Sequence, residues 1–428
     1  MRLRGDFRRF MWSDAITKLG TQVTLVALPL TAVHTLHAGA FQLGLLAAVQ
    51  TAAFLVIGLP AGVWVDRTRR RPILVWADLS RGAALLTVPA AAWTGTLTLP
   101  HLYAVALVLG VGTVFSDVAQ MSFLPAIVPR RRLEHANGRL EVTRQVSVLA
   151  GPGLGGWLVS TLTAPLALLA DAIAYLVSGT LLSRVRAEER PRAEAVADGT
   201  PAGGAVADRS RAEGAGARDV LVERRLWGEM REGVAFVVRE PVLRRVAIGG
   251  ALTRIAMGVC AVAYPLYLYV DLQVDAVTYG LLLSAAAIGA LAGATLVARV
   301  TERFGVGATL YGSAVLVMAL QLPAVATGPG WRLLIFPITS ALAGVAGMIF
   351  NVAQLSHRQR ITPEHLLGRV NASMRFLMWG TTPLGALAGG LLGEWLGGYG
   401  VFAAGVALLA LSYLAVVTAP AIRSTPTQ

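Results

Sequence analysis

The residues that invite chemistry in this chain are ionisable groups set in apolar surroundings. Asp14 and Lys18 stand four residues apart in the first apolar run, which places them one turn apart on one helix face. Asp117 lies in a second run, and Arg254 and Asn351 in two more. Charge at membrane depth is costly and marks a water-filled path, an ion pair or a proton relay. A carboxylate beside an ammonium feels two opposed effects, because desolvation disfavours its charge while the neighbour favours it. A change of surroundings then tips the balance, which is what a proton carrier needs. Asp14 is the first candidate, with a permanent ion pair that makes Lys18 tolerable as the alternative. Lys18, Asp117, Arg254 and Asn351 are the further proton or substrate candidates.

Two other stretches carry mechanism by their spacing. In Gly62-Val63-Trp64-Val65-Asp66-Arg67-Thr68-Arg69-Arg70-Arg71, an acidic residue closes one helix and four arginines lead into the next. Charges at two adjoining helix ends suit ion pairs that break and re-form, with Asp66 and Asp117 expected to pair with Arg70 or Arg71 in one state. The plainer reading is a positively charged anchor that holds the loop in the cytoplasm. In Gly151-Pro152-Gly153-Leu154-Gly155-Gly156, glycines let a neighbouring helix approach closely and Pro152 frees a carbonyl.

No enzyme constellation competes. The sequence has no Gly-x-x-x-x-Gly-Lys phosphate loop, no His-Glu-x-x-His and no Gly-x-Ser-x-Gly elbow, so neither ATP chemistry nor hydrolysis is expected on this chain. Cys260 is the only cysteine, and no Cys/His spacing suits a metal. The expectation is a non-enzyme without cofactor or metal.

The elements that must position these residues are long apolar helices. The chain has 428 residues, 55 % of them hydrophobic, and a mean hydropathy of +0.63. Apolar runs at about 11–34, 41–65, 73–94, 101–124, 140–161, 165–183, 246–270, 277–298, 307–327, 331–354, 370–392 and 398–419 are each long enough to cross a bilayer. The formal net charge of +13 does not point to nucleic acid, because the basic residues fall in alternate short loops and one central segment. Arg67 to Arg71, Arg130 to Arg132 with Arg139, Arg299 with Arg303, and Arg358, Arg360 and Arg369 mark the loops expected in the cytoplasm, and with them both termini. Residues 187–217 read as a flexible linker, and Leu226, Met230, Val234 and Val237 as one face of an amphipathic helix suited to the inner leaflet. The expected organisation is a six-helix bundle over 1–184, a cytoplasmic linker over 185–240 and a second bundle over 241–428.

An internal repeat supports two halves. Gln120, Pro129, Leu133, Asn137, Gly155 and Gly156 recur with the same spacing as Gln354, Pro363, Leu367, Asn371, Gly389 and Gly390. Gly44 and Asp66-Arg67 match Gly280 and Glu302-Arg303, and Asn351 is the counterpart of Asp117. The Gly62 to Arg71 stretch resembles the loop between helices two and three of the major facilitator superfamily, Gly-x-x-x-Asp-Arg-x-Gly-Arg-Arg, with Arg69 at the usual glycine. Ser147 to Gly156 resembles the antiporter motif of the same superfamily, Gly-x-x-x-Gly-Pro-x-x-Gly-Gly, with Ser147 at its first glycine. The arginine that members carry in helix four is missing, since that position falls in Ala106-Leu107-Val108-Leu109. Phe7-Arg8-Arg9-Phe10, Ala27-Leu28-Pro29-Leu30 and Arg231-Glu232-Gly233-Val234 resemble the twelve-helix exporters of the enterobactin and macrolide efflux group.

The resemblance implies an all-α integral membrane protein with twelve transmembrane helices in two six-helix pseudo-symmetric halves. It implies a monomer in the cell membrane that exports a small or medium-sized, largely apolar compound in exchange for protons, with small molecule, proton and lipid bilayer as its partners. An importer or lipid flippase of the same fold is the alternative within transport. A membrane sensor signalling through residues 187–240 is the alternative outside it.

Overall fold

The structure is a computed structural model that describes residues 2–129, 132–186, 234–363 and 366–418. Arg130, Arg131 and residues 187–233, with Leu226 and Met230, lie outside them. Among the described residues the chain is almost wholly helical. In the first part α1 covers Arg2–Leu30, α2 Ala40–Arg67, α3 Arg70–Trp93, α4 Leu99–Ile127, α5 Leu133–Leu162 and α6 Ala164–Ser183. In the second, α7 covers Pro241–Tyr264, α8 Ala276–Gln321, α9 Ile335–Ile361, α10 Leu367–Trp379 and α11 Thr382–Leu411. Backbone polar groups have no water to bond inside a bilayer, so long apolar runs satisfy them within the segment as helices. Nine stretches of the described residues are long and apolar enough to cross.

Two of the helices are hairpins in disguise. Gly305, at φ 75°, breaks α8, and Gly397, at φ 69°, breaks α11, both in the left-handed region that glycine enters freely. Thr309 Oγ1 lies 3.4 Å from the Val300 carbonyl oxygen. On a straight helix nine residues span about 13 Å. Likewise a Cβ on Gly389 would lie 2.8 Å from Val259 Cα and one on Gly405 3.1 Å from Val259 Cγ1, although sixteen residues of straight helix span about 24 Å. The chain therefore reverses at both glycines. With these breaks the described rods are consistent with the twelve expected crossings.

Several helices run further than their apolar cores. α1 begins at Arg2 rather than near residue 11, α5 at Leu133 rather than 140, and α9 ends at Ile361 rather than 354. Hydropathy locates the bilayer boundary, whereas the hydrogen-bonded helix continues past it with charged residues on the outside. The second departure concerns Val237. It is buried with Val242, Leu243, Leu366 and Val370 in a core of the second half, so this end of the expected surface helix packs against protein rather than lipid.

The cores show how the halves meet. At the end of the bundle away from the arginine loops, one continuous cluster runs through both, from Leu28, Leu43 and Leu102 to Tyr267, Tyr279 and Phe402. At the arginine-rich end the halves keep separate clusters, one around Phe10, Leu74, Phe123 and Leu182 and the other around Leu243, Leu310, Leu366 and Met374. The halves share one core at one end and keep separate cores at the other.

Candidate functional site

The candidate residues lie on both halves. On the first half, Lys18 Nζ lies 2.7 Å from Asp14 Oδ2, the carboxylate side chain 1 % exposed and the ammonium 30 %. Asp117 and Gln120 of α4 are its electrostatic neighbours. Sequence spacing alone had put Asp14 and Lys18 on one face; the fold adds Asp117 to the same place.

On the second half, a cavity of about 390 Å³ is lined by Arg254, Thr253, Asn351, Gln354, Met257 and Met378, among others. The guanidinium carbon of Arg254 sits 3.9 Å above the Trp379 ring centroid. Trp379 in turn tilts against Phe54 of α2 at 5.8 Å, so an aromatic stack leads from Arg254 across to the first half. Among the described residues no carboxylate lies within ion-pair distance of Arg254; its charge is met by an aromatic face, which is worth more once desolvated.

The arginine loop is only partly resolved into contacts. The side chains of Asp66 and Arg67 lie outside the described residues. Arg71 Nε donates to the Leu182 carbonyl at 3.1 Å, and its terminal nitrogen to that of Ser183. A cation on the last carbonyls of α6 is favoured by the partial negative charge there. A Cβ on Gly62 would meet nothing within 4 Å, so no close helix approach requires glycine there.

The glycine stretch of α5 has two faces. Gly151 and Gly155 pack on α1, against Gln22 and against Val23 and Val26. Gly156 faces across the seam instead: a Cβ there would overlap the Ala276 carbonyl oxygen of α8, and one on Gly280 would overlap that of Pro152. The motif therefore holds the first half together and joins the halves at their closed end.

Sequence spacing missed a buried polar network among α1, α3, α4 and α6. Arg81 donates to Asp78, to Ser116 at 2.7 Å and to its own Ala77 carbonyl at 3.1 Å, and stacks 4.2 Å over the Tyr175 ring. Ser178 donates to Asp78 and bonds Ser13 at 2.6 Å. Tyr175 bonds Thr21 at 2.9 Å, and Thr24 donates to Asp171. Asp78 and Arg81 thus pair at 3 % and 6 % exposure, shared among four helices. The one partial signal is that Ser13, Thr17, Thr21 and Thr24 on α1 and Asp171, Tyr175 and Ser178 on α6 recur at helical spacing. This marks a polar face on each helix but not their pairing. Glu141 and Arg144 also pair, at 2.6 Å and half exposed.

The profile of the Major Facilitator Superfamily matches residues 13–241 and 246–427. The chain belongs to that superfamily. Among curated relatives, the "Multidrug efflux pump Tap" of Mycolicibacterium fortuitum is 28 % identical over 413 residues, covering 94 % of this chain and 92 % of the relative. The protein of that name from Mycobacterium tuberculosis is 26 % identical over 436 residues, covering 98 % and 94 %. Among solved structures, a bacterial homologue of the iron transporter ferroportin in its inward-facing state superposes with a TM-score of 0.68 at 16 % identity, covering 96 % of this chain and 98 % of that one. Its outward-facing state gives 0.57 at 15 % identity, covering 97 % and 99 %. These likenesses show the shared transporter fold. In this superfamily member Gly156 stands at the closed end of the seam between halves, and Arg71 stands against the end of α6 at the arginine-rich end.

Proposed function

We propose that this transporter exports a small or medium-sized, largely apolar compound across the cell membrane in exchange for protons. The observation that carries the reading is the cavity of the second half lined by Arg254, Asn351 and Gln354, in a bundle whose halves are joined by glycine contacts at one end and keep separate cores at the arginine-rich end. If arginine-rich loops face the cytoplasm, as loop charge expects, this is a state that receives substrate from inside. The efflux pumps among its relatives support the direction.

The division of labour follows from chemistry. Met257, Met348, Met378 and Phe350 line the second-half cavity, and flexible thioethers re-pack around varied apolar shapes. Arg254, Thr253, Asn351 and Gln354 supply the few polar contacts that orient a ligand. Asp14 binds the coupling proton and Lys18 holds it poised, while the bundle over 241–428 rocks against that over 1–184. Asp66 and Asp117 with Arg67, Arg70 and Arg71 close the arginine-rich end in the other state.

The test is uphill transport. Purified protein in liposomes is given a pH gradient and a panel of lipophilic fluorescent probes, ethidium among them. The expected result is accumulation against the probe gradient that collapses when the pH gradient is dissipated. Absence of gradient-driven accumulation for every probe, with Asp14→Asn indistinguishable from wild type, refutes the reading.

A further inference from the structure

Asp171 stands apart from the cavity. It lies on α6, facing α1, and is fully buried. Thr24 donates to its Oδ2 at 2.5 Å, while its Oδ1 has no hydrogen-bond partner among the described residues. That oxygen rests on the backbone of α1: a Cβ on Gly20 would overlap it. Only glycine one turn before Thr24 leaves room for the carboxyl to lie flat on the helix. A buried carboxylate oxygen without a donor is costly, and such a group calls for an explanation.

The ionisable groups that face Asp171 are Arg81 and Asp78 of α3 and Tyr175 of its own helix; α1 offers it Gly20 and Thr24. Charge balance among these groups is unequal. Arg81 donates directly to one oxygen of Asp78, and Ser178 donates to the other. The single guanidinium is thus already committed to a carboxylate with both oxygens satisfied. With Asp171 also ionised, the cluster would hold two negative charges and one positive one, all nearly inaccessible to water. One proton on Asp171 makes it neutral and turns the orphaned carboxylate oxygen into part of an acid.

We propose that Asp171 is a proton-binding site of the first half, separate from Asp14, and that it holds its proton in this open state. Proton loss there leaves a negative charge that competes with Asp78 for Arg81. Arg81 also donates to Ser116, next to Asp117 on α4, and Ser178 bonds Ser13, next to Asp14 on α1. The buried proton is thereby linked by hydrogen bonds to the immediate chain neighbours of Asp14 and Asp117. The proton arrives from and returns to solvent, so no other reactant is needed.

Infrared difference spectroscopy of the full-length protein in liposomes reads this without any transport assay. Wild type at neutral pH is expected to show the carbonyl stretch of a protonated carboxylic acid, lost on alkalinisation. Asp171→Asn, close in shape, is expected to remove that band, while Asp14→Asn and Asp78→Asn leave it. Thr24→Val, which keeps the shape and deletes the donor, is expected to shift it, and serves also where Asp171→Asn fails to fold. Absence of the band in wild type, its persistence in Asp171→Asn, or its indifference to Thr24→Val overturns the proposal. A chain that shows the band yet exports nothing would sink the proposed export and leave this site standing.

Discussion

Gly156→Ala is the substitution that best separates a moving seam from ordinary packing. Its new Cβ falls on the Ala276 carbonyl oxygen, 2.9 Å from the Ala276 carbonyl carbon and 3.1 Å from Val277 Cα. All three atoms are backbone, so no rotamer change relieves them. Overpacking of this kind costs about 1–3 kcal/mol. Only the state in which α5 and α8 touch pays this cost, because separating their ends removes the clash. The ratio of states should therefore shift about 5- to 150-fold toward the one open at this end. Gly155→Ala is the control: its Cβ meets Val23 Cα at 3.1 Å and Val26 Cβ at 3.3 Å on α1. That contact lies inside one half, so the variant should lose stability without favouring either state. Spin labels at Ser160 and Gln273, both exposed near the closed seam, and at Val142 and Leu296, exposed nearer the open end, report the distribution; Cys260 is buried and leaves the labelling clean. The expected result is a longer Ser160–Gln273 distance and a shorter Val142–Leu296 distance in Gly156→Ala alone. Wild-type distributions in Gly156→Ala, or an equal shift in Gly155→Ala, would refute the reasoning.

Other perturbations test other parts. Asp14→Asn should lose export driven by a pH gradient and keep downhill exchange, measured in the same liposomes; unchanged uphill export makes Asp14 structural and Asp117 the next candidate. Arg81→Met leaves Asp78 buried without its cation and should cost about 3–5 kcal/mol, read as a fall in melting temperature that Asp78→Asn in the same chain partly reverses. Asp275 caps α8 through the Thr278 hydroxyl at 2.6 Å and the N–H groups of Val277 and Thr278 at 3.0 Å, which hold its carboxyl below the usual carboxylate range. Such a cap stabilises above the unfolded carboxylate range and fades as pH falls through the folded value. Asp275→Ala should therefore cost about 1 kcal/mol at neutral pH, reduced by solvent screening at this exposed site, and nothing in strong acid; a penalty independent of pH refutes the cap. Reporter fusions after Leu97 and Pro329 should read extracytoplasmic and those after Arg70 and Gln359 cytoplasmic, with a cytoplasmic signal at Leu97 overturning the topology.

Hydropathy and loop charge made the crossings legible, because the bilayer imposes one solution on every apolar run. They placed the turns near Gly305 and Gly397 correctly but did not show that the helix resumes almost without a loop; a single left-handed glycine suffices, and one residue leaves no polar stretch to read. Asp14 and Lys18 could be paired from spacing alone, since four residues fix a face. Arg254 could be placed in a membrane span but not matched to Trp379, because they lie on different helices far apart in sequence. The buried network failed to emerge for the same reason. Its serines and threonines look like ordinary small residues until α1, α3, α4 and α6 bring them together around Arg81.

The repeat explains why the two halves share a closed seam and not a gate. Gly156 packs on the start of α8, and its repeat counterpart Gly390 packs on the start of α2, against Ala40 and Gly44. Gly280 meets Pro152, and its counterpart Gly44 meets Ala386 and Gly390. The closed end is thus one contact made twice, α5 with α8 and α11 with α2, which lets both sides part together. The arginine-rich end does not obey the repeat. Between α2 and α3 the first half has a turn at Thr68 and Arg69, followed by Arg71 bound to the end of α6. At the matching place the second half reverses at Gly305 alone, with Arg303 resting near the Phe304 ring at 5.5 Å. A loop with several arginines can exchange partners as the halves move, whereas the one-residue reversal at Gly305 has only Arg299 and Arg303 beside it. In the proposed cycle the closed end therefore opens symmetrically, and closure of the arginine-rich end is controlled from the α2–α3 side.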